Sequence, residues 1–515
     1  MSSPVRVTGD DLSLEEVGAV AGGAAVDTDL PDGTRSRMRA SRRAVESILE
    51  SGQAVYGVNT GFGRLSDVRV DREGLAELQV NLLRSHACGV GEPMEREEVR
   101  AMLLLRANAL AAGYSGVRPA VAIRLLELLE RDVTPVVPRA GSVGASGDLA
   151  PAAHLSLVLI GEGEARGPGG QRRPGGEALR EAGLEPLELE PKEGLALLNG
   201  TQAMTAVGTL ALLRAESLAD AADVAGAVSL EGLRGSPDPF DPVVQEARPH
   251  PGQEASARRL RALLRDSEIR ESHRYGDPRV QDAYSVRCMP QIHGAARHAI
   301  AHVRDVLERE VNAATDNPLV EADRPAGERV LSQGNFHGQP VASALDYLAV
   351  GVCHLATASE RRTDRLLNPD LSDLPAFLTP EPGLRSGLMM AQVTAASRVA
   401  ECRHAAEPAS VGTIPTGAAK EDHVSMGMHA ADQAERAVRA AEQVVAVELI
   451  AAVQAMEFHR PLRAGRGVES AAAVLREEVP RVEEDRPLAG DMDAAVGLIR
   501  GGAMSRVVAD SLADA

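Results

Sequence analysis

The segment from Gly141 to Pro151 carries the residues with the clearest chemical potential, and it reads Gly-Ser-Val-Gly-Ala-Ser-Gly-Asp-Leu-Ala-Pro. Its Ala145-Ser146-Gly147 tripeptide has almost no side-chain bulk, so the amide nitrogen of Gly147 can approach the carbonyl carbon of Ala145 without a Cβ in the way. Ring closure, with loss of water from the ring and from Ser146, would leave a five-membered imidazolone with an exocyclic methylene. The segment is therefore a candidate for an electrophile made from backbone and serine alone.

A glycine-rich segment of this kind is also typical of a loop that enters a helix, with Asp148 near the N-cap and Pro151 in the first turn. Composition alone leaves both interpretations open. Spacing excludes two other sites. A nucleophile elbow needs glycine two residues after the serine, where Asp148 stands. A phosphate-binding loop needs Gly-Lys-Ser/Thr, which this segment lacks.

A second polar cluster lies at residues 280–288, which read Val-Gln-Asp-Ala-Tyr-Ser-Val-Arg-Cys. Tyr284 and Arg287 are three residues apart, so they share a face if the segment is helical. A fixed guanidinium can clamp a carboxylate through two hydrogen bonds, and a phenol can serve as a base. The pair can therefore supply both groups to one substrate.

Four other segments offer binding groups: the loop Tyr-Gly-Val-Asn-Thr-Gly-Phe-Gly at 56–63, Ser85-His86, Asn199, and Asn335-Phe336-His337. Taken singly, the first three also have structural interpretations as a β-turn, a helix-end histidine and a helix cap. His86 and Cys88 have no further zinc ligands at recognisable spacing, so no metal site is expected.

These segments lie between long apolar-periodic stretches that predict helices. The predicted helices are 35–51, 97–112, 118–130, 196–234, 293–312, 339–362, 385–406 and 428–458. Residues 161–194 are predicted to form a surface segment with a short hairpin. Residues 235–280 are predicted to form a long irregular or weakly helical connection. Strand signals are few, so the fold class is mainly α. The last helix would span about 45 Å, which indicates a bundle extended through subunit contacts.

The composition limits the partners and the compartment. The 74 acidic residues exceed the 55 basic residues, giving a net charge of -19, so nucleic acid is not an expected partner. Four cysteines without CxxC spacing, and no N-terminal apolar core or cleavage site, favour reduced thiols and a cytoplasmic location. No uninterrupted apolar run approaches the roughly 20 residues that span a bilayer.

The motifs resemble those of the aromatic amino acid ammonia-lyases and occur in the same order along the chain. In that family the Ala-Ser-Gly tripeptide cyclises to 4-methylideneimidazol-5-one (MIO). The resemblance runs from Tyr56 to about Met426 through YGVNTGFG, NLLRSHACGVGEP, GSVGASGDLAP, LLNGTQA, VQDAYSVRC, GNFH and KEDHVSM. It is closest to the histidine-specific members, which implies conversion of L-histidine to trans-urocanate and ammonia, the first step of histidine degradation. No external cofactor is implied.

The resemblance also implies an architecture. It is a fumarase/aspartase-like single lyase chain over 1–515, with an N-terminal mixed region at approximately 1–200 that carries the MIO loop. A long-helix bundle follows at approximately 201–515. The family's homotetramer draws each active site from three subunits.

Residue roles follow from the same resemblance. Ala145, Ser146 and Gly147 would form MIO, and Tyr284 would be the leading base, with Tyr56 in a supporting or competing role. The expected substrate-binding residues are Arg287 for the carboxylate, Asn199 and Gln281 for MIO and substrate polar groups, His86 and Glu421 for the imidazole, and Phe336 for the ring pocket.

Three positions depart from the family pattern: Lys420 stands where Gln is expected, Cys88 where Ala is common, and Ala283 where Pro is common. A cation at Lys420 is expected to lower the pKa of Glu421 and weaken it as a base. Tyrosine or phenylalanine ammonia-lyases and aminomutases of the same family are therefore the alternative functions, and a non-catalytic helical scaffold is the alternative outside enzymes.

Overall fold

The computed structural model describes residues 3–52, 54–61, 68–277 and 279–514, and this part of the chain is mainly α-helical. Its helices are α1 Leu14–Ala21, α2 Asp32–Ser51, α3 Leu75–His86, α4 Arg96–Ala111, α5 Pro119–Glu130, α6 Leu149–Leu159, α7 Gly175–Glu181, α8 Glu193–Leu198, α9 Gln202–Gly232, α10 Pro242–Glu246, α11 Pro251–Leu263, α12 Glu268–Ser272, α13 Tyr284–Arg287, α14 Met289–Glu310, α15 Gln339–Leu367, α16 Met389–Ala405, α17 Gly427–Met456, α18 Arg466–Glu478, α19 Ala489–Arg500 and α20 Ala503–Ala513. The predicted fold class is confirmed.

The strands are short: β1 Val90–Pro93, β2 Thr134–Pro135, β3 Pro138–Ala140, β4 Glu164–Arg166, β5 Arg172–Pro174, β6 Leu319–Val320 and β7 Val330–Leu331. They form three small antiparallel sheets, ordered β1-β3, β2-β4-β5 and β6-β7. The β4-β5 pair is the hairpin expected within 161–194.

Most predicted helix ends lie within a few residues of the observed ends, and α17 has the 30 residues that give a length of about 45 Å. Two predictions were wrong in part. The helix expected from 196 is divided, because Gly200 adopts a φ of +127° between α8 and α9. The connection at 235–280 contains the 13-residue α11, whose apolar side is buried at Leu260 and Leu263.

The chain divides into two compact units. The first contains residues Met1–Leu210, Arg304–Leu345 and Pro408–Asp432. Its α4 is buried at every position from Glu98 to Ala111, as expected for a helix surrounded by others. The polar groups of α4 are satisfied inside this unit, since Asn108 Nδ2 donates to the carbonyl of Val311 at 2.8 Å. All seven strands belong to this unit.

The second unit contains Ala211–Val303, Asp346–Glu407 and Gln433–Ala515. In it α11, α18 and α20 pack on one another. Its α14 and α15 approach closely at Gly351, where an added Cβ would lie 2.7 Å from the Cβ of Ala299. Glycine at this position therefore sets the distance between the two helices.

One helix among the described residues, α15, is long and apolar enough to cross a membrane, with a mean hydropathy of 1.4 in its most apolar window. Polar residues such as Asp346 interrupt the window, so the sequence shows no continuous apolar run there. Within the fold, 72% of the window is buried, as in the core helix of a globular protein.

We expect Gly351→Ala to lower the thermal unfolding midpoint, because overpacking a tight interface costs about 1–3 kcal/mol. The matched control is Gly497→Ala on α19, where an added Cβ meets nothing within 4 Å. Alanine is favoured over glycine in a helix by about 0.5–1 kcal/mol, so this control should hold or raise the midpoint. Circular dichroism during heating measures both, and an unchanged midpoint for Gly351→Ala would contradict the packing argument.

Candidate active site

The loop before α6 places Ala145, Ser146 and Gly147 in an unusual backbone conformation. Ser146 has a φ of +53° and Gly147 a φ of +82°. A left-handed serine costs roughly 1–2 kcal/mol, so the surrounding structure must hold it. Ala145 and Ser146 are half-buried and Gly147 is buried, which leaves the tripeptide partly accessible.

The backbone of Gly200 holds this loop from the other side. Its amide donates to the carbonyl of Ser146 at 3.2 Å, and the amide of Asp148 donates to its carbonyl at 2.8 Å. A Cβ on Gly147 would lie 2.1 Å from the Gly200 oxygen, and a Cβ on Gly200 would lie 2.6 Å from Thr315 Oγ1. Both positions therefore require glycine.

The Gly147 amide itself takes no part in these hydrogen bonds. The hydrogen bonds to Gly200 use the groups on either side of it, and no acceptor for the Gly147 N–H occurs in the described ranges. An amide nitrogen without a hydrogen-bond partner retains the freedom that attack on the Ala145 carbonyl needs.

Asp148 anchors the loop to the start of α9. The carboxylate is buried and accepts hydrogen bonds from Ser142 Oγ at 3.0 Å and from the Met204 amide at 2.8 Å. Burial raises its pKa to about 6, although these donors act in the opposite direction. Asp148 stands at the N-cap position of α6, as predicted, but its side chain does not cap that helix.

Asn199 is oriented by a second buried carboxylate. Its Nδ2 donates to Asp316 Oδ1 at 3.3 Å and to the carbonyl of Asn317 at 2.7 Å. Lys192 Nζ binds the other oxygen of Asp316 at 2.7 Å, and both charged groups are buried. The partners of Nδ2 are acceptors, so the side-chain oxygen Oδ1 of Asn199 is the end left for a ligand.

The Tyr56 loop packs beside this cluster. Gly57 has a φ of +75°, and a Cβ there would lie 2.7 Å from Leu195 Cδ2 and 2.8 Å from Pro318 Cδ. Tyr56 is half-buried on the same turn. Phe62 and Gly63, the end of the motif, lie outside the described residues.

His86 ends α3, as predicted, and is half-buried. Its Nδ1 lies 2.9 Å from the carbonyl of Leu82, so Nδ1 carries the proton and Nε2 is left as an acceptor. The following turn meets the loop that carries Ser146, since a Cβ on Gly141 would lie 3.0 Å from Gly89 Cα.

Glu421 and Phe336 lie on two loops that are tied together. His337 Nε2 donates to the carbonyl of His423 at 3.1 Å, and the Met426 amide donates to the carbonyl of Val143 at 2.9 Å. The second contact links the Glu421 segment to the loop that carries Ser146. Phe336, adjacent to His337, is half-buried.

The Glu421 carboxylate is half-buried and accepts a hydrogen bond from Thr416 Oγ1 at 2.7 Å. Lys420 is exposed, and it forms no ion pair with Glu421 in the described part of the chain. In this structure Glu421 is therefore bonded to Thr416 and is not ion-paired with Lys420.

Gln281, Tyr284 and Arg287 lie in the second unit. Tyr284 and Arg287 are the ends of α13, and the guanidinium carbon lies 4.7 Å from the centre of the Tyr284 ring, so the two side chains share a face as expected. Tyr284 is 70% exposed. Arg287 Nε is buried, and no hydrogen-bond partner for it occurs among the described residues. Gln281 and Arg287 line one cavity of about 230 Å³.

The first unit thus brings Ala145, Ser146, Gly147, Asn199, Tyr56, His86, Phe336 and Glu421 onto connected elements, and the second unit holds the remaining three predicted residues. Sequence reasoning missed Gly200 and Asp316, whose roles depend on contacts distant in the chain. The glycine directly after Asn199 was the available signal for the first. Within the described ranges, no group of three or more His, Cys, Asp or Glu side chains could hold a metal ion.

Known proteins resemble the chain over nearly its whole length. A family model described as aromatic amino acid lyase matches residues 12–477. A histidine ammonia-lyase of Anaeromyxobacter sp. (strain K) is 57% identical over 503 residues, covering 96% of this chain and 98% of the relative. The crystal structure of histidine ammonia-lyase from Trypanosoma cruzi has a TM-score of 0.91 at 42% identity, covering 99% of this chain and 95% of that one. Tyrosine aminomutase from Streptomyces globisporus also has a TM-score of 0.91, at 37% identity, covering 99% of both chains.

We expect Gly200→Ala to prevent the loss of two molecules of water that cyclisation of Ala145-Ser146-Gly147 would cause. The added methyl group would meet Gln202 Oε1 and Thr315, so the Gly200 backbone has to move and its hydrogen bonds on both sides of Gly147 are broken. Gly327→Ala, in the same unit and with nothing within 4 Å of the new Cβ, is the control. Intact mass measures the outcome, with circular dichroism to verify folding, and a fully dehydrated Gly200→Ala protein would refute this role of the backbone contact.

Proposed function

The chain belongs to the aromatic amino acid lyase family, and we infer that it is a histidine ammonia-lyase, which eliminates ammonia from L-histidine to give trans-urocanate. The observation that carries this inference is the near full-length similarity to proteins of that name. The intact Ala145-Ser146-Gly147 sequence supports catalysis over a scaffold role.

We propose that Ala145, Ser146 and Gly147 cyclise to MIO. Three features of the chain fit this group: the left-handed Ser146, the free amide of Gly147, and the contact at Gly200 that excludes any side chain. The hydrogen bond from the Gly200 amide would draw electron density from the Ser146 carbonyl. When formed, MIO supplies an electrophilic methylene that captures the substrate and makes its nitrogen a better leaving group.

Elimination also needs a base for the β-hydrogen and a fixed substrate carboxylate. We assign the base to Tyr284, whose exposed phenol is oriented by the guanidinium over its ring, with Tyr56 as the competing candidate. Arg287 is suited to the carboxylate, because its buried Nε has hydrogen-bonding capacity left. Gln281, beside it in the same cavity, can add a further polar contact.

Asn199 is assigned to the substrate ammonium group. Its amide nitrogen is occupied by Asp316 and the Asn317 carbonyl, so only its oxygen can meet a ligand. The side-chain oxygen can accept a hydrogen bond from the substrate ammonium group, whereas it has no proton to donate to the substrate carboxylate. This orientation narrows the broader role that the family resemblance implies.

The imidazole is assigned to His86, Glu421 and Phe336. His86 Nε2 can accept a hydrogen bond from the substrate ring, while the Glu421 carboxylate can accept from its other nitrogen or balance its charge. The Phe336 ring can cover the apolar face of the imidazole. These groups suit an imidazole better than a phenyl or phenol ring.

We also propose that the chain acts as a homotetramer in which copies complete one another's active sites. Helix α16 supports this proposal, because only Ala391, Ala395, Cys402 and Ala405 of its 17 residues are buried. Met390 is 64% exposed on the same helix. Tyr284 is similarly exposed, although a catalytic base works best where water is excluded. A second copy can cover both surfaces.

The function is tested by intact mass and by ultraviolet absorbance, comparing the wild type with Ser146→Ala. We expect the wild type to be lighter than its sequence by two molecules of water and to release urocanate from L-histidine. Ser146→Ala should show neither property, because alanine has no hydroxyl to lose. L-tyrosine and L-phenylalanine are assayed in parallel, and release of their products without urocanate would replace histidine as the substrate. A full unmodified wild-type mass would contradict the MIO proposal.

Tyr284→Phe is expected to lower kcat by about 100- to 10,000-fold, the range of a lost general base, while the protein still loses its two molecules of water. Tyr275→Phe is the control, since Tyr275 is 86% exposed and lies outside α13 in the same unit. Steady-state kinetics with L-histidine measure both variants. Near-normal turnover of Tyr284→Phe would transfer the base role to another group, with Tyr56 the first to examine.

A further inference from the structure

A fully buried ion pair lies next to α13 in the second unit. Arg362 on α15 and Glu448 on α17 both have no solvent exposure, and Arg362 Nη2 donates to Glu448 Oε2 at 2.9 Å while Nε donates to Oε1. Ser229 Oγ donates to Glu448 Oε1 at 2.6 Å. Two of the three guanidinium nitrogens are therefore fixed by a single carboxylate.

The third nitrogen of Arg362 reaches the helix that carries the proposed base and clamp. Nη1 donates to the carbonyl of Ser285 at 3.1 Å, and Ser285 directly follows Tyr284. His293 Nε2 lies 3.3 Å from the same Nη1 and accepts from it, because arginine is only a donor. Nη1 is thus held between the α13 backbone and a buried imidazole.

His293 is itself fixed by the next buried group. Its Nδ1 donates to Asp223 Oδ1 at 2.7 Å, and Asp223 also binds Arg297. Burial lowers the pKa of His293, which keeps the ring neutral and its Nε2 available as an acceptor. The groups that surround Arg362 are therefore hydrogen-bonded to one another, and the bond to the Ser285 carbonyl links them to α13.

The helix α13 needs such external support. It has only four residues, and Ala283 at its N-cap offers no side-chain hydrogen bond. An isolated turn of this length is unstable, because nucleation of a helix is unfavourable. Its other anchors include the buried Val286, the Asp282 carboxylate, which accepts from the Ser236 amide at 2.7 Å, and α14, which begins at Met289.

Stability alone does not account for Arg362. Breaking a buried ion pair is costly, but replacing both partners with apolar residues of similar volume is often neutral or stabilising. Arg362 directly contacts the backbone carbonyl of Ser285, which lies between Tyr284 and Arg287, and this contact points to a role in holding α13.

We propose that Arg362 is a positioning residue, which fixes the α13 turn and thereby the directions of Tyr284 and Arg287. This inference rests on the roles proposed above for those two residues. Glu448 and His293 hold the guanidinium in the plane that aims Nη1 at the Ser285 carbonyl.

The test compares Arg362→Lys, and the double variant Arg362→Met with Glu448→Met, against Arg214→Lys. Arg214 pairs with the buried Glu442 in the same unit and makes no hydrogen bond to α13 in the described part of the chain, so it controls for the loss of an arginine ion pair. We expect both Arg362 variants to keep the wild-type mass loss of two waters, while kcat falls about 100-fold, the effect of a displacement of about 1 Å. The kcat of the control should stay within about twofold of wild type. This is a change of about 0.4 kcal/mol, because a tenfold change corresponds to about 1.4 kcal/mol.

A double-mutant cycle separates positioning from general destabilisation. If Arg362 acts through Tyr284, Arg362→Lys should lower kcat little further in a Tyr284→Phe background. Full additivity, or near-normal kcat in the Arg362 variants of an active enzyme, would overturn the proposal.

A readout independent of activity keeps the inference distinct from the proposed function. Hydrogen–deuterium exchange should become faster at the amides of Val286, Arg287 and Cys288, which donate within the α13 turn, in the Arg362 variants and not in Arg214→Lys. Unchanged exchange would refute positioning even if the wild type acts on a different substrate. Faster exchange with no histidine turnover in the wild type would support positioning and refute the function.

Discussion

The contact between the backbones of Gly147 and Gly200 is the constraint on which the candidate electrophile depends. Neither residue can carry a Cβ, since the added carbon on Gly147 would lie 2.1 Å from the Gly200 oxygen and that on Gly200 would lie 2.6 Å from Thr315 Oγ1. The hydrogen bonds on both sides of Gly147 keep Ser146 in a left-handed conformation that it would not adopt unaided. The same contact joins the loop before α6 to the segment before α9, and therefore to Asn199.

Buried carboxylates hold the surrounding polar groups in place. Asp148 ties the loop to α9, Asp316 turns the Asn199 amide, and Glu448 holds the guanidinium of Arg362. Each has hydrogen-bond donors that offset the cost of removing a charge from water. Their common effect is orientation, because a satisfied buried network allows only one arrangement of the groups it binds.

Most helices followed from the sequence, because apolar periodicity is a local property. The candidate site residues were identified from short motifs and the family resemblance, and their roles stay predictions. The 118–130 and 428–458 helices were placed to within two residues. Helix α11 was predicted only as part of an irregular or weakly helical connection, since its arginines obscure the buried stripe that includes Leu260. The direction of the Asn199 side-chain amide could not be predicted, because its partners, Asp316 and Asn317, are more than a hundred residues away.

The sequence by itself determined the mainly α fold, the Ala145-Ser146-Gly147 tripeptide, and the Tyr284–Arg287 spacing, because each depends on residue type and on neighbours along the chain. Only the tertiary structure decided which end of the Asn199 side chain bonds to the Asn317 carbonyl, why Gly200 must be glycine, and that Arg362 Nη1 donates to the Ser285 carbonyl in α13. These properties arise from contacts between distant segments. The spacing of residues along the chain does not reveal hydrogen-bond direction or steric exclusion, because both are fixed only when the chain is folded.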